Sequence, residues 1–296
     1  MASHIPLHER DINELLRSAQ YDDTALMRRE AEVARETDEE ILKRMACKFS
    51  ILEKMTHAAV ARQIRSMIVT GPPGIGKSFG VESVLERAYL FQPETYDIEA
   101  PPKFQIIHGS ISALLLYAKL HEFRNEGSVL VLDDADKIFF DEESLMLLKA
   151  ALDTSNRRIL SWNKDSRLLR SKDIPDRFEF KGAVIVITNL KFAYVRSKKL
   201  KTHLDAIESR CHYLDMELDT MRERLLRIQQ VVRETGMLDR YCFTTEEQEE
   251  LLNWVHINQT TLREVSLRTL IKASQLKVSF KDDWRMFASN TLIKSK

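Results

Sequence analysis

An apolar run followed by a glycine-rich turn constrains the fold of this chain more than any other part of its sequence. Ser66-Met-Ile-Val-Thr70 has the composition of a buried strand, and Gly71-Pro-Pro-Gly-Ile-Gly-Lys77-Ser78 comes directly after it. Apolar residues at helical spacing begin at Val81. This order of strand, GxxxxGK[ST] turn and helix is the pattern of a phosphate-binding loop.

The residue types of this loop fit the chemistry of a bound triphosphate. Three of the chain's eight glycines lie in these eight residues. They let the backbone bend so that its N–H groups face the phosphates. The helix start adds the positive end of a dipole, Lys77 is expected to reach the β and γ phosphates, and Ser78 is expected to ligate Mg²⁺. The predicted nucleotide-binding residues are Gly71, Pro72, Pro73, Gly74, Ile75, Gly76, Lys77 and Ser78.

Strands and helices alternate through the first two thirds of the chain. Besides the run before the loop, strands are predicted at Phe104–Ile107, Val129–Leu132 and Val184–Ile187. The last two are apolar on both faces, which is typical of a parallel sheet covered on both sides. After about residue 215 the pattern indicates three helices. We therefore predict an α/β sandwich with a mostly parallel sheet, followed by a small all-helical domain.

The domain limits expected from this pattern are a polar arm at 1–36, a nucleotide-binding α/β domain at 37–214 and a helical lid domain at 215–296.

Lysine and arginine number 45, and aspartate and glutamate also number 45, so net charge gives no argument for nucleic acid or membrane binding. Cys47, Cys211 and Cys242 are scattered, as expected of reduced thiols. Without an apolar stretch of roughly 18–20 residues, a soluble cytoplasmic protein is expected.

Two carboxylates follow the apolar strand at Val129–Leu132. In open α/β sheets, ligands bind at the carboxyl ends of the strands, where Asp133 and Asp134 lie. Asp133 is therefore a candidate ligand of Mg²⁺, together with Ser78. Asp134 is a candidate for polarising the attacking water. The alternative is a solvated loop after a buried strand.

With the phosphate loop upstream, this acidic strand end resembles the AAA+ ATPases. The resemblance implies that the nucleotide is ATP, with Mg²⁺, and that the chain hydrolyses it. Most AAA+ proteins carry Asp-Glu where this chain has Asp133-Asp134. Because aspartate is one methylene shorter than glutamate, hydrolysis is expected to be slow.

The same resemblance assigns three further residues. Asn189, after the strand at Val184–Ile187, resembles the polar residue that touches the γ-phosphate; alone, it would be an ordinary strand-ending asparagine. Arg210, in Ser209-Arg-Cys211, resembles the arginine that enters a neighbour's ATP site; a surface salt bridge is the alternative. Arg268 resembles the second-sensor arginine of the helical domain, with Arg263 as a competitor and a solvated helix position as the alternative.

Within the superfamily, the Ser-Arg-Cys motif and the acidic box at 133–136 resemble the clamp-loader branch. Three short segments, Gly109-Ser110, Leu-Lys-Ala-Ala-Leu-Asp at 148–153 and Phe-Glu-Phe-Lys-Gly at 178–182, resemble phage-encoded AAA+ ATPases. For a phage protein the compartment would be the host cytoplasm. The resemblance implies a ring-shaped homo-oligomer, expected to be a hexamer, with ATP sites between subunits. From the balanced charge and the lack of a long apolar stretch, no membrane partner is expected.

A basic insertion before Val184 is the candidate DNA contact. Its basic and aromatic residues are Arg157, Arg158, Trp162, Lys164, Arg167, Arg170, Lys172 and Arg177. Such a segment suits a phosphate backbone, and a solvated loop is the alternative. The leading hypothesis is an ATPase motor or loader in DNA metabolism, that is, replication or recombination. The alternatives are a protein-remodelling chaperone, or a switch that assembles with ATP and turns over slowly.

Overall fold

The computed structural model describes residues 23–90, 103–195 and 197–294. These residues form two compact units. The α/β unit comprises the described parts of Phe49–Gly71 and Lys77–Met216, and the helical unit comprises those of Asp23–Lys48, Pro72–Gly76 and Glu217–Lys296. The domain limits expected from the sequence stay a prediction. Of the expected arm at 1–36, residues 1–22 lie outside the described residues.

Among the described residues, one sheet of the α/β unit is built from five strands: β1 (Ser66–Thr70), β2 (Phe104–His108), β3 (Val129–Asp133), β6 (Ala183–Thr188) and β7 (His212–Asp215). All of them are parallel, in the order β2-β3-β6-β1-β7. The predicted α/β class with a mostly parallel sheet is confirmed. β7 was not predicted, because Tyr213 and Leu214 are the only large apolar residues in its four positions.

In chain order, the described helices are α1 (Asp23–Val33), α2 (Asp38–Val60), α3 (Lys77–Leu90), α4 (Ala113–Glu122), α5 (Glu142–Ala151), α6 (Arg167–Ser171), α7 (Lys198–Glu208), α8 (Met221–Thr235), α9 (Thr245–Ile257), α10 (Leu267–Phe280) and α11 (Trp284–Leu292). None of these described helices is long and apolar enough to cross a bilayer.

Beyond residue 215 the structure describes four α-helices, whereas the sequence pattern indicated three.

The centre of the sheet is the core of the α/β unit. Every residue of β1, β3 and β6 is buried. Apolar side chains on both faces of these strands are covered, as the sequence pattern predicted for a parallel sheet. Since all the strands run the same way, their carboxyl ends meet at one edge, and the polar residues that end them are brought together there.

The basic insertion folds as two short antiparallel strands with a helix between them. β4 (Ile159–Ser161) pairs with β5 (Arg177–Glu179), and α6 lies in the intervening segment. Trp162 packs against Tyr117 of α4, with ring centroids 5.7 Å apart. The insertion is thus anchored to the α/β unit by an aromatic contact.

The helical unit has well-defined helix ends. Thr220 and Glu223 form a capping box at the start of α8, and Gly236 ends the helix in the left-handed conformation at φ 63°. These local signals in the sequence are the reason why α8 could be predicted. The unit's core includes Trp254 and Trp284, whose rings meet edge to face at 5.6 Å.

Glu223 also carries a buried ion-pair network. Its side chain is fully buried, and its Oε1 atom lies 2.7 Å from Arg29 Nη2 and 2.9 Å from Arg44 Nη2. Burial alone would raise the pKa of Glu223. Hydrogen bonding by the Thr220 backbone and the charges of the two arginines outweigh burial and lower the pKa. Glu223 therefore stays ionised and joins α1, α2 and α8.

Replacing this carboxylate should destabilise the helical unit. Glu223→Gln keeps the side-chain volume but leaves two largely buried guanidinium groups without their common anion, and we expect a loss of about 2–3 kcal/mol in the free energy of unfolding. The control is Glu32→Gln, which removes the exposed partner of the same Arg29 and should cost less than about 0.5 kcal/mol. Urea unfolding of both variants tests this, and equal effects would contradict the network's importance.

Candidate functional site at the carboxyl edge of the sheet

The phosphate loop runs from the end of β1 at Thr70 to the start of α3 at Lys77. Its three glycines have positive φ: 149° at Gly71, 70° at Gly74 and 100° at Gly76. Only glycine adopts such a series readily. At Gly74 the requirement is double, because a Cβ atom there would lie 2.5 Å from the Cβ atom of Ser266.

Lys77 is buried at the base of the loop, with 5% of its surface exposed. Its Nζ atom donates to Gly71 O at 2.6 Å and to Asn189 Oδ1 at 2.9 Å. Asn189 Nδ2 in turn donates to Asp134 Oδ1 at 2.7 Å. Asn189 thus links the candidate phosphate-binding lysine to the candidate water-polarising carboxylate.

Asp133 ends β3 with a side chain that is 6% exposed. Its Oδ1 atom accepts a hydrogen bond from Ser78 Oγ at 3.0 Å. Mg²⁺ takes oxygen ligands at about 2.1 Å in octahedral geometry, so two adjacent ligands lie about 3 Å apart. Ser78 and Asp133 therefore fit the requirement for two neighbouring ligands of one Mg²⁺ ion.

His108 lies against the other oxygen of Asp133, at 3.1 Å from Nδ1 to Oδ2. The sequence did not single it out. A usable signal was present: His108 ends β2, and in the parallel register it is the direct partner of Asp133. A polar residue at the end of a neighbouring strand is brought to the same edge.

Asp134 has a left-handed backbone, with φ 52°. Aspartate tolerates this conformation better than most residues, and such backbone turns are concentrated at functional sites. The turn leaves the Asp134 side chain exposed to solvent. Its backbone N–H donates to Ile187 O at 3.0 Å, which ties the acidic turn to β6.

Asp136 is the third carboxylate of this turn, and it accepts a hydrogen bond from Thr188 Oγ1. Burial raises its pKa to about 6, against the lowering effect of the Thr188 hydrogen bond, and the nearby charge of Asp134 adds to the rise. Asp136 is therefore neutral below about pH 6, which reduces the negative charge at this edge of the sheet.

The arginines that the sequence singled out lie in different surroundings. Arg210 is half-buried; it donates to Ala206 O, and its Nε atom lies 3.6 Å from Asp153 Oδ1. Arg268 is exposed in the first turn of α10, and its side chain makes no hydrogen bond or ion pair with the described residues. Arg263 is also exposed.

An arginine that the sequence did not single out lies beside the loop instead. Arg227 Nε donates to Ile75 O at 3.4 Å, and a Cβ atom at Gly76 would lie 3.8 Å from Arg227 Nη2. Burial lowers its pKa to about 10, partly offset by Glu234. In the sequence, Arg227 is one of several arginines on an amphipathic helix, so no signal set it apart.

The basic insertion is less available for a polyanion than its composition suggests. Arg158 is 2% exposed, and it donates to the carbonyl oxygens of Ala151 and Gly182 at 2.7 and 2.6 Å. Burial lowers its pKa to about 10. Arg158 therefore serves the fold, and its prediction as part of a DNA contact was wrong.

The remaining cations of the insertion divide into two groups. Ion pairs to carboxylates are made by Arg157, Lys164 and Arg170. Exposed positions without a carboxylate of the described residues within ion-pair distance are Arg167, Lys172 and Arg177. The second group contains the cations that a phosphate backbone would reach first.

The comparison of this chain with family models and solved structures finds a distant likeness. No family model matches the chain. A solved structure of a Thermotoga maritima RuvB mutant aligns with a TM-score of 0.44 and 12% sequence identity, covering 85% of this chain and 68% of that one. A likeness at this level supports no inference about activity.

A phage protein is more similar to this chain in sequence than the RuvB structure is. The uncharacterized 36.7 kDa protein in the nrdC-mobD intergenic region of Enterobacteria phage T4 is 35% identical over 264 residues. The match covers 87% of this chain and 77% of the phage protein. This chain belongs to the family of that phage T4 protein.

Proposed function

We propose that this chain is an AAA+ ATPase that binds ATP with Mg²⁺ and hydrolyses it. The observation that carries the proposal is the cluster at the carboxyl edge of the sheet. Lys77 and Asp134 share Asn189 there, and the Ser78 hydroxyl lies 3.0 Å from Asp133. These distances support the proposal that phosphate-binding and water-orienting groups act on one bound triphosphate.

Each of these residues has a distinct role in the proposed reaction. Lys77 neutralises the terminal phosphates; Ser78 and Asp133 would hold Mg²⁺, which when bound would neutralise further charge on the phosphate oxygens. Asp134, exposed to solvent and oriented by Asn189, positions the attacking water. Because Asp134 is shorter than the glutamate usual in AAA+ proteins, turnover is slow, and this favours an ATP-dependent assembly switch as the second candidate function.

A lysine substitution tests the nucleotide site. Lys77→Ala should weaken ATP binding by about 30-fold or more, because it removes a buried charge that pairs with phosphate. The control is Lys54→Ala, which removes an exposed lysine of α2 and should leave binding unchanged. Calorimetric titration with ATP and Mg²⁺ gives both affinities. Equal affinity of Lys77→Ala and the unaltered protein would refute the phosphate-loop assignment.

We further propose that the protein assembles as a ring, with a hexamer as the expected size, and that Arg210 acts on the ATP site of the neighbouring subunit. The support is the AAA+ resemblance of Ser209-Arg-Cys211 and the position of Arg210 in the turn between α7 and β7. A guanidinium at a subunit boundary stabilises charge that develops on the phosphate oxygens.

Subunit mixing tests this role. Arg210→Ala should keep ATP binding and lower kcat by about a thousand-fold, the effect of removing an arginine finger. Asp134→Asn subunits should also be inactive, but they keep Arg210. In equimolar mixed rings, about a quarter of the sites combine an intact Asp134 with an intact neighbouring arginine, so activity should partly return. A mixture as inactive as the separate variants would contradict action in trans.

DNA is the proposed substrate of the motor, within phage replication or recombination in the host cytoplasm. The phage T4 relative supports the phage setting. Arg167, Lys172 and Arg177 support the DNA contact: they are exposed, they pair with no carboxylate of the described residues, and a phosphate backbone binds such groups through counterion release.

Two matched triple variants test the DNA contact. Changing Arg167, Lys172 and Arg177 to glutamine should remove DNA stimulation of ATP hydrolysis and lower the salt dependence of DNA binding by about 1 in slope per lost phosphate contact. Changing the ion-paired Arg157, Lys164 and Arg170 to glutamine alters net charge equally and should have little effect. ATPase assays with duplex DNA and anisotropy at several salt concentrations give both values. Equal losses in the two variants would indicate a non-specific charge effect.

A further inference from the structure

Asp133 is held through both of its carboxylate oxygens. Ser78 Oγ donates to Oδ1 at 3.0 Å, and His108 Nδ1 lies 3.1 Å from Oδ2. Since a carboxylate only accepts hydrogen bonds, the imidazole carries its proton on Nδ1 and donates it. The plane of the Asp133 carboxylate is therefore fixed from two sides, by residues of two different elements.

The sheet fixes the position of the histidine. His108 and Asp133 are direct partners in the register of β2 and β3, and Gly109 N donates to Asp133 O at 2.9 Å just beyond them. Asp133 is almost fully buried, whereas the His108 side chain is 65% exposed. The histidine is thus supported by the backbone ladder, while its ring contributes little to the core of the unit.

We propose that His108 is a positioning residue for the magnesium-binding carboxylate, an inference that rests on the proposed ATPase function. The Nδ1–H group holds Oδ2 so that Oδ1 keeps its orientation toward the Ser78 hydroxyl. Groups that hydrogen-bond a metal ligand from behind set its orientation, and their removal typically weakens metal affinity 10- to 100-fold. His108 contacts neither phosphate nor water in this role. It sets the Mg²⁺ affinity of the loaded site.

Replacing His108 should separate the Mg²⁺ requirement from nucleotide binding itself. His108→Ala removes the donor, and the Mg²⁺ concentration needed for half-maximal ATP binding should rise about 10-fold. ATP affinity measured in EDTA should not change, because Lys77 and the loop are untouched. His108→Asn offers an amide N–H near the position of Nδ1 and should restore most of the Mg²⁺ dependence. Calorimetric titration at fixed Mg²⁺ concentrations, with thermal melting of each variant, gives these values.

Four outcomes would overturn the inference. If His108→Ala binds ATP with an unaltered Mg²⁺ dependence, Asp133 does not need the histidine. If ATP affinity in EDTA falls as much as that in Mg²⁺, or if His108→Asn fails while melting normally, the contact has a general structural role. If the unaltered protein binds no ATP, the proposed function fails together with this inference, and that result is distinct from a defect confined to the His108 variants.

Discussion

The register of β3 between its two neighbours is the constraint on which the candidate site depends. Asp133 is paired with His108 on one side and with Ile187 on the other. All five residues of β3 are buried, so a slip of one residue would exchange the side chains packed on the two faces of the sheet and would take Asp133 out of register with His108. The packing of the core therefore holds the geometry of the polar groups at the edge.

The charges at this edge explain why a triphosphate would need cations on several sides. Asp133, Asp134 and Asp136 lie at the end of a single strand. Lys77 is linked to Asp134 by Asn189, which accepts a hydrogen bond from the lysine and donates one to the carboxylate. Phosphate oxygens brought to three carboxylates would be repelled without compensation. Protonation of Asp136 below about pH 6 removes one negative charge. A Mg²⁺ ion on Asp133 and Ser78 would offset the charge of another, which makes nucleotide binding and metal binding mutually dependent.

Most of the sheet could be predicted from the sequence because its central strands are short runs of apolar residues next to turn signals. The phosphate loop could be predicted for a related reason, since its glycines and lysine occupy positions that backbone geometry and charge both require. The sequence does not show which charged side chains are buried or which groups they contact. Arg158 looks like its basic neighbours in sequence but lies in the core, and Arg227 looks like a solvated helix residue but lies beside Ile75. Neither fact follows from local spacing.

The candidate catalytic carboxylate is held in place by its surroundings. Asp134 has a shorter side chain than glutamate, but its left-handed backbone and the 2.7 Å hydrogen bond from Asn189 fix where that side chain points. The same Asn189 accepts from Lys77 at 2.9 Å. In the proposed reaction, a shift of Lys77 toward a phosphate would thus change the hydrogen-bonding of Asn189 and, through it, the orientation of Asp134. In that reaction the asparagine would couple the occupancy of the phosphate site to the placement of the attacking water, and this coupling would matter more for a short carboxylate, whose reach leaves less tolerance for error.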